Sequence, residues 1–209
     1  MADNYLEKRY EEVFGAGAAG HSRKRGGPSL NTLLVRNRST RRFRTDAEVS
    51  IEHLRTIVEV NTRIASAMNR QTLRFGIVRK EDDPAAYGRL RDLYVHGQDW
   101  RIPPSSFIVV FSTLPEGRFI DIDLGISLQS MSLKAVELGL NATIVGSFDH
   151  DALRRLLDAD NMHPLALLAV GKGCDKIQLL SIREGESHAY YRKEGIHYVP
   201  KLGLDELIF

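Results

Sequence analysis

The sequence predicts a single mixed domain of helices and strands, and not a simple doubly wound nucleotide-binding domain. Three observations lead there. Segments of helical and strand periodicity alternate along the chain. The longest helical candidate, residues 119–139, is apolar on most of its faces, and an extended tail with much apolar content follows the last buried strand. Neither common nucleotide cradle is present: no G-x-G-x-x-G follows a strand, and no G-x-x-x-x-G-K-[ST] occurs.

A chain of 209 residues buries roughly 70% of the surface its unfolded form exposes, so it folds without staples. Hydrophobic residues make up 43% and charged residues 27%, an ordinary globular balance. No apolar run approaches the roughly 18 residues a membrane-spanning helix needs. The opening MADNYLEKRYEEVFGAG has no apolar stretch of the secretory kind. Cys174 is the only cysteine, which excludes an internal disulfide and fits a reducing cytoplasm. Charge nearly cancels, 29 Lys+Arg against 27 Asp+Glu for +2, yet His21 to Arg44 holds eight basic residues and no acidic one. Such a block attracts anions, or is a solvated arm.

Residues 3–14 read as an amphipathic helix and Gly15–Gly27 as a linker, so residues 1–28 form an N-terminal extension and 29–209 the domain. Ser29 caps a helix over Leu30–Asn37, and Ser50 caps an amphipathic helix over 51–63. Leu73–Arg79 and Ser106–Ser112 are strands, with a helix over Tyr87–Val95 between them and Pro103-Pro104 as a break. The all-round apolar character of 119–139 calls for burial in a core or against another subunit, and Gly139 is a natural stop. Ala142–Val145 is a strand, Asp151–Leu157 a helix and Leu165–Val170 a buried strand. The tail from Tyr190 to Phe209 is extended with one turn near its end, and its apolar content has to pack against something.

Three constellations carry chemistry. Arg36-Asn37-Arg38-Ser39-Thr40-Arg41-Arg42-Phe43 follows a helix and interleaves guanidinium groups with hydroxyls. Guanidinium forks with a short hydroxyl suit a phosphate monoester; a basic surface turn or a nucleic-acid patch has the same composition. Ala65-Ser66-Ala67-Met68-Asn69-Arg70-Gln71 joins a helix to a strand. Its small residues admit a flat ligand, and Asn69 and Gln71 each offer a donor and an acceptor; the plain alternative is a helix end and loop. Ile144-Val145-Gly146-Ser147-Phe148-Asp149 runs from a strand to a helix start, where backbone N–H groups can meet a ligand and Asp149 can cap the helix.

In order, these segments resemble the nitroreductase family. Arg38-Ser39-Thr40-Arg41-Arg42-Phe43 resembles its R-S-x-R-x-F phosphate segment. Ser66-Ala67-Met68-Asn69-Arg70-Gln71 with Arg74-Phe75 resembles S-x-x-N-x-Q-P-W-x-F. Asp123-Leu124-Gly125-Ile126 through Glu137-Leu138-Gly139-Leu140 resembles the D-x-G-x helix ending E-L-G-L, and Val145-Gly146-Ser147-Phe148 falls at the family's glycine pair. His197-Tyr198-Val199-Pro200-Lys201 resembles the V-P-K tail of one branch. The chain departs at Asn37, Thr72-Leu73, Ser147 and Gly203, where relatives carry Arg, Pro-Trp, Gly and a basic residue. The resemblance implies an α+β fold, a mostly antiparallel central sheet flanked by helices with a tail that wraps the partner subunit of a homodimer. It implies bound FMN, contacted by Arg38, Ser39, Thr40, Arg41, Ser66, Ala67, Met68, Asn69, Gln71, Val145, Gly146, Ser147 and Lys201. It also implies ping-pong electron transfer from NAD(P)H to a nitroaromatic, a quinone or a similar acceptor, with no metal and no side chain required as acid or base. A non-catalytic FMN or nucleotide binder, a nucleic-acid binder using residues 23–44, flavin breakdown and reductive dehalogenation are the competing readings; no membrane or nucleic-acid partner is expected.

Overall fold

The computed structural model describes residues 27–93 and 102–209. The expected helix at 3–14, the linker after it and the end of the helix expected over Tyr87–Val95 lie outside the described residues. Four strands, β1 (Leu73–Arg79), β2 (Ser106–Ser112), β3 (Asn141–Val145) and β4 (His163–Gly171), form one sheet in the order β1-β2-β4-β3. Every pairing is antiparallel. The inner strands β2 and β4 read as unbroken apolar runs because helices cover both of their faces. Ile108, Val110, Leu168 and Val170 point to one side, where α2 (Ile51–Glu59) and α4 (Arg118–Glu137) pack Leu54, Ile57, Leu128 and Met131 against them. Phe107, Val109, Phe111, Leu167 and Ala169 point to the other, beneath Tyr87 and Leu90 of α3 (Pro84–Asp92) and Leu153 of α5 (His150–Leu156). Period-two alternation thus feeds two cores from one sheet.

Caps set the helix bounds. Ser29 accepts from Thr32 N–H to start α1 (Leu30–Arg36), and Ser50 accepts from His53 N–H while His53 Nδ1 accepts from Ser50 N–H. α3 begins three residues before the expected start because Asp83 caps it and Pro84 takes the first turn, where a missing N–H costs nothing. α4 ends as expected at Gly139, whose φ of +76° lies where side chains are strained.

A fifth strand and the second sheet it belongs to are not foreseen from the sequence. β5 (Lys176–Ile182) pairs in parallel with β7 (Ile196–Leu202), and β6 (Tyr191–Lys193) flanks β7 to complete a second, three-stranded sheet. The tail therefore packs through residue 202 on its own chain. Beyond it, Leu204, Leu207, Ile208 and Phe209 are all exposed.

Candidate functional site

Thr40 docks on the free edge of β3, and residues 42–44 continue past the end of β4. Thr40 N–H donates to Ala142 O at 3.3 Å, and the Thr143 hydroxyl donates to Thr40 O. Phe43 N–H donates to Ile102 O at 3.2 Å and Arg44 N–H to Lys172 O at 2.7 Å. Two glycines at the end of β4 make the room. A Cβ on Gly171 would stand 2.7 Å from the Phe43 ring, and one on Gly173 would stand 2.9 Å from Thr40 Cγ2.

So held, the segment divides its side chains between two sides. Thr40 is buried, its hydroxyl donating to Arg38 O. Arg38 donates to Leu34 O at the end of α1 and lines, with Thr40 and Lys172, a cavity of about 320 Å³; burial lowers its pKa. Ser39 is exposed and its hydroxyl makes no hydrogen bond among the described residues. Arg41 is half-buried, 6.0 Å from the Tyr190 ring centroid, and has no ion pair among the described residues. Ser39 and Arg41 are thus unengaged, while Thr40 and one Nη of Arg38 fasten the segment from behind and the buried Arg38 Nε has no partner among the described residues. Arg42 pairs with Asp175 at 3.7 Å and Arg44 with Asp46 at 2.6 Å, so three of the five basic residues from 36 to 44 are already engaged.

Along the same edge, Ile144 is exposed and a Cβ on Gly146 would meet nothing within 4 Å. Val145 turns its side chain into the core, which leaves its backbone, Gly146 and the half-buried Ser147 facing outward. Asp149 accepts from Ala152 N–H at 2.8 Å, so the start of α5 is already capped.

The tail brings an ionic cluster to this corner that the sequence did not reveal. Asp175, 3% exposed, accepts from both Arg192 Nη atoms at 2.8 and 3.1 Å. Burial pushes its pKa up, but the Arg192 and Arg42 guanidinium groups outweigh that and hold it below its ordinary value. His197, 6% exposed, has no hydrogen-bond partner on either ring nitrogen and meets Tyr190 edge-on at 5.2 Å. Burial first, then the charge of Arg192 and Arg41, lower its pKa against the pull of Asp175. A folded pKa below the unfolded one means that the unfolded chain takes the proton first. Stability therefore falls as pH drops below about 6.5, until the folded pKa is passed. His197→Phe should lose less melting temperature than wild type between about pH 7.5 and pH 5; parallel curves would show that His197 does not titrate unfavourably in the fold. Lys201 is exposed on β7 opposite Ser181, four residues past His197 and so about 13 Å along the strand. Arg192, and not Lys201, is the tail cation linked to this segment within one chain.

Ser66–Gln71 lies at the far corner of the sheet. It leads into β1, whose Leu73 pairs with Ser112, itself opposite His163 at the start of β4; Ala142, beside Thr40, pairs with Val170 near the end of β4. With Thr40 outside β3, the two segments are four strand spacings (about 19 Å) across and seven residues (roughly 23 Å) along the sheet from each other. The loop is strained: Met68, Asn69 and Gln71 have φ of 52°, 52° and 50°, each costing about 1–3 kcal/mol. Ala67 N–H donates to Asp123 Oδ1 at 2.8 Å, Gln71 N–H to Ser66 Oγ at 3.3 Å, and Gln71 Nε2 to Asn69 Oδ1 at 3.1 Å. Met68, Asn69 and Gln71 are exposed. Beside the loop a cleft of about 520 Å³ opens between α2 and β1, lined among others by Arg55, Gln71, Phe75 and Asp123.

Among the described residues no helix is long and apolar enough to cross a membrane. Residues 100–172 match the Nitroreductase family. No curated protein matches the chain. Among solved structures, a nitroreductase family protein from Streptococcus pneumoniae TIGR4 is similar at 19% identity, with a TM-score of 0.63 over 72% of this chain and 93% of the other. One from Clostridium difficile 630 has 26% identity, with a TM-score of 0.55 over 68% and 82%. An FMN and NADPH-dependent nitroreductase from Sphigopyxis sp. strain HMH has 18% identity, with a TM-score of 0.59 over 70% and 89%. The antiparallel sheet flanked by helices is the fold of those structures, and the resemblance read from the sequence motifs stands.

Proposed function

We propose that this chain, which carries the nitroreductase-family match over residues 100–172 and has that family's fold, is an FMN-dependent oxidoreductase working as a homodimer. The observation that carries the reading is a pair of incomplete half-sites at opposite corners of one sheet. One offers an unengaged guanidinium and hydroxyl, Arg41 and Ser39, at the start of β3, with the open backbone of Gly146 at the other end of that strand. The other offers the exposed amides of Asn69 and Gln71 on a strained loop. The diagonal between them, on the order of 30 Å from the strand spacings, is longer than one flavin mononucleotide. Two copies of the chain related by a two-fold axis bring the phosphate corner of each to the ring corner of the other.

The residues fit the cofactor. A phosphate monoester asks for a fork of donors and a hydroxyl, which Arg41 and Ser39 supply. A flat ring asks for small residues and edge donors, which Ser66, Ala67, Asn69 and Gln71 supply, with Met68 exposed beside them and the backbone of Val145, Gly146 and Ser147 opposite. Bound FMN would supply the redox chemistry between NAD(P)H and a nitroaromatic, quinone or similar acceptor in a ping-pong order. The chain binds and orients the ring, and no side chain has to move a proton. Phe119, Ile122 and Ile126, 55%, 47% and 38% exposed on one face of α4, give a second copy an apolar stripe to cover. The free edge of β1 and the apolar residues after Gly203 supply further surface for a tail that wraps the partner. A single cysteine suits a reducing cytoplasm.

The test is steady-state oxidation of NADH and of NADPH by the purified, FMN-reconstituted protein with a quinone and a nitroaromatic as acceptors. Turnover that depends on FMN, with parallel double-reciprocal plots, is expected. FMN binding without turnover on any acceptor would leave a flavin-binding protein, and no FMN binding would remove the reading.

A further inference from the structure

We infer that Asp123, on the long helix α4, is the positioning residue that holds the Ser66–Gln71 loop in the conformation that presents Asn69 and Gln71. The geometry stands alone; the consequence for binding rests on the FMN reading above. Asp123 is 4% exposed, on a helix whose other buried residues include the apolar Ile120, Leu128 and Met131. An ionised carboxylate is costly there unless a strong hydrogen bond offsets the loss of water. Among the described residues its one hydrogen bond is from Ala67 N–H, at 2.8 Å and across 56 positions of sequence.

One turn further along α4, on the same face, the Ser127 hydroxyl donates to Asn61 Oδ1 at 2.6 Å, and Asn61 Nδ2 donates to Val58 O at 2.9 Å. Two polar side chains of one helix thus pin both ends of residues 61–67. Packing does not do this work. Asp123 lines the cleft on the β1 side of the loop and also a smaller one lined by Ala67, Arg70, Thr72 and Phe119, so the loop has open space on both flanks. Directly after Ala67 come the left-handed residues Met68, Asn69 and Gln71, a conformation that non-glycine residues leave when nothing holds them. Removing the anchor at Ala67 frees the loop to relax and turn Asn69 and Gln71 away. The Asp123 carboxylate touches neither cofactor nor substrate in this account; it acts through the backbone of Ala67.

The experiment compares wild type, Asp123→Ala and Asp123→Asn as full-length apo-protein. FMN is titrated by quenching of flavin fluorescence, the Ala67 and Gln71 amides are followed by ¹H–¹⁵N NMR, and the melting temperature is recorded for each. Asp123→Ala should bind FMN about ten- to a hundredfold more weakly, with the Ala67 amide losing its hydrogen-bonded shift and exchange protection. Asp123→Asn still has an oxygen to accept from Ala67 N–H and should recover most of the affinity. Lumiflavin, which has the ring but no phosphate, should lose the same factor with Asp123→Ala, because the loop meets the ring end. An Asp123→Ala protein with wild-type FMN affinity overturns the inference. So does an Asn variant that binds no better than the Ala variant at equal melting temperature. If wild type itself takes up no FMN, the cofactor reading fails, and the Ala67 amide still decides whether Asp123 anchors the loop. Should Asp123→Ala fail to fold, the Asn variant and its Ala67 shift carry the test.

Discussion

Arg41→Ala should leave the purified protein largely free of flavin. Truncating one partner of a desolvated ion pair costs about 2–5 kcal/mol, or roughly 30- to 5,000-fold in affinity. Arg41 is half-buried, so the lower half of that range applies. The fold itself should hardly notice: Arg41 has no carboxylate partner among the described residues, and its loss gives up only the 6.0 Å approach to the Tyr190 ring. Arg42→Ala is the useful contrast. It removes a contact to Asp175, 3% exposed, and should lower the melting temperature more than the FMN affinity. Riboflavin, which lacks the phosphate, should bind wild type far more weakly than FMN and should not distinguish wild type from Arg41→Ala. Equal affinity of wild type for riboflavin and FMN would sink the phosphate assignment.

The sheet and its helices were legible because each carries a local signal. β2 and β4 are continuous apolar runs, Ser29, Ser50 and Asp149 are side-chain caps, and Gly139 stops α4. β5 was not legible. Its residues Lys176–Ile182 are at best half-buried, since they pack against the tail and not in the main core, so the periodicity is shallow. The tail strands read as extended, yet nothing in Tyr191–Lys193 or Ile196–Leu202 states which strand they join. The site divides in the same way. Residue types at Arg41, Ser39, Asn69 and Gln71 pointed to phosphate and ring recognition. That Arg38 and Thr40 face inward follows from the pairing of Thr40 with Ala142, which only the folded edge of β3 decides. The Asp175–Arg192 pair joins two elements of the second sheet, and Asp123 meets Ala67 across 56 positions. Such long-range partners leave no trace in local composition.

A second large effect follows from sharing of the site between two copies of the chain. Asn69→Ala removes hydrogen bonds worth about 1–3 kcal/mol if they are buried against the ring, and Arg41→Ala removes more. In either homodimer both sites are damaged alike. A heterodimer with Arg41→Ala in one chain and Asn69→Ala in the other separates the geometries. If each flavin is held by the phosphate corner of one copy and the loop corner of the other, one site collects both defects and its twin collects none. If each site lies within one chain, both sites keep one defect. FMN titration of the isolated heterodimer reads this directly. One FMN per dimer should bind with wild-type affinity and a second far more weakly. Two weakened sites and no tight one would contradict a shared site.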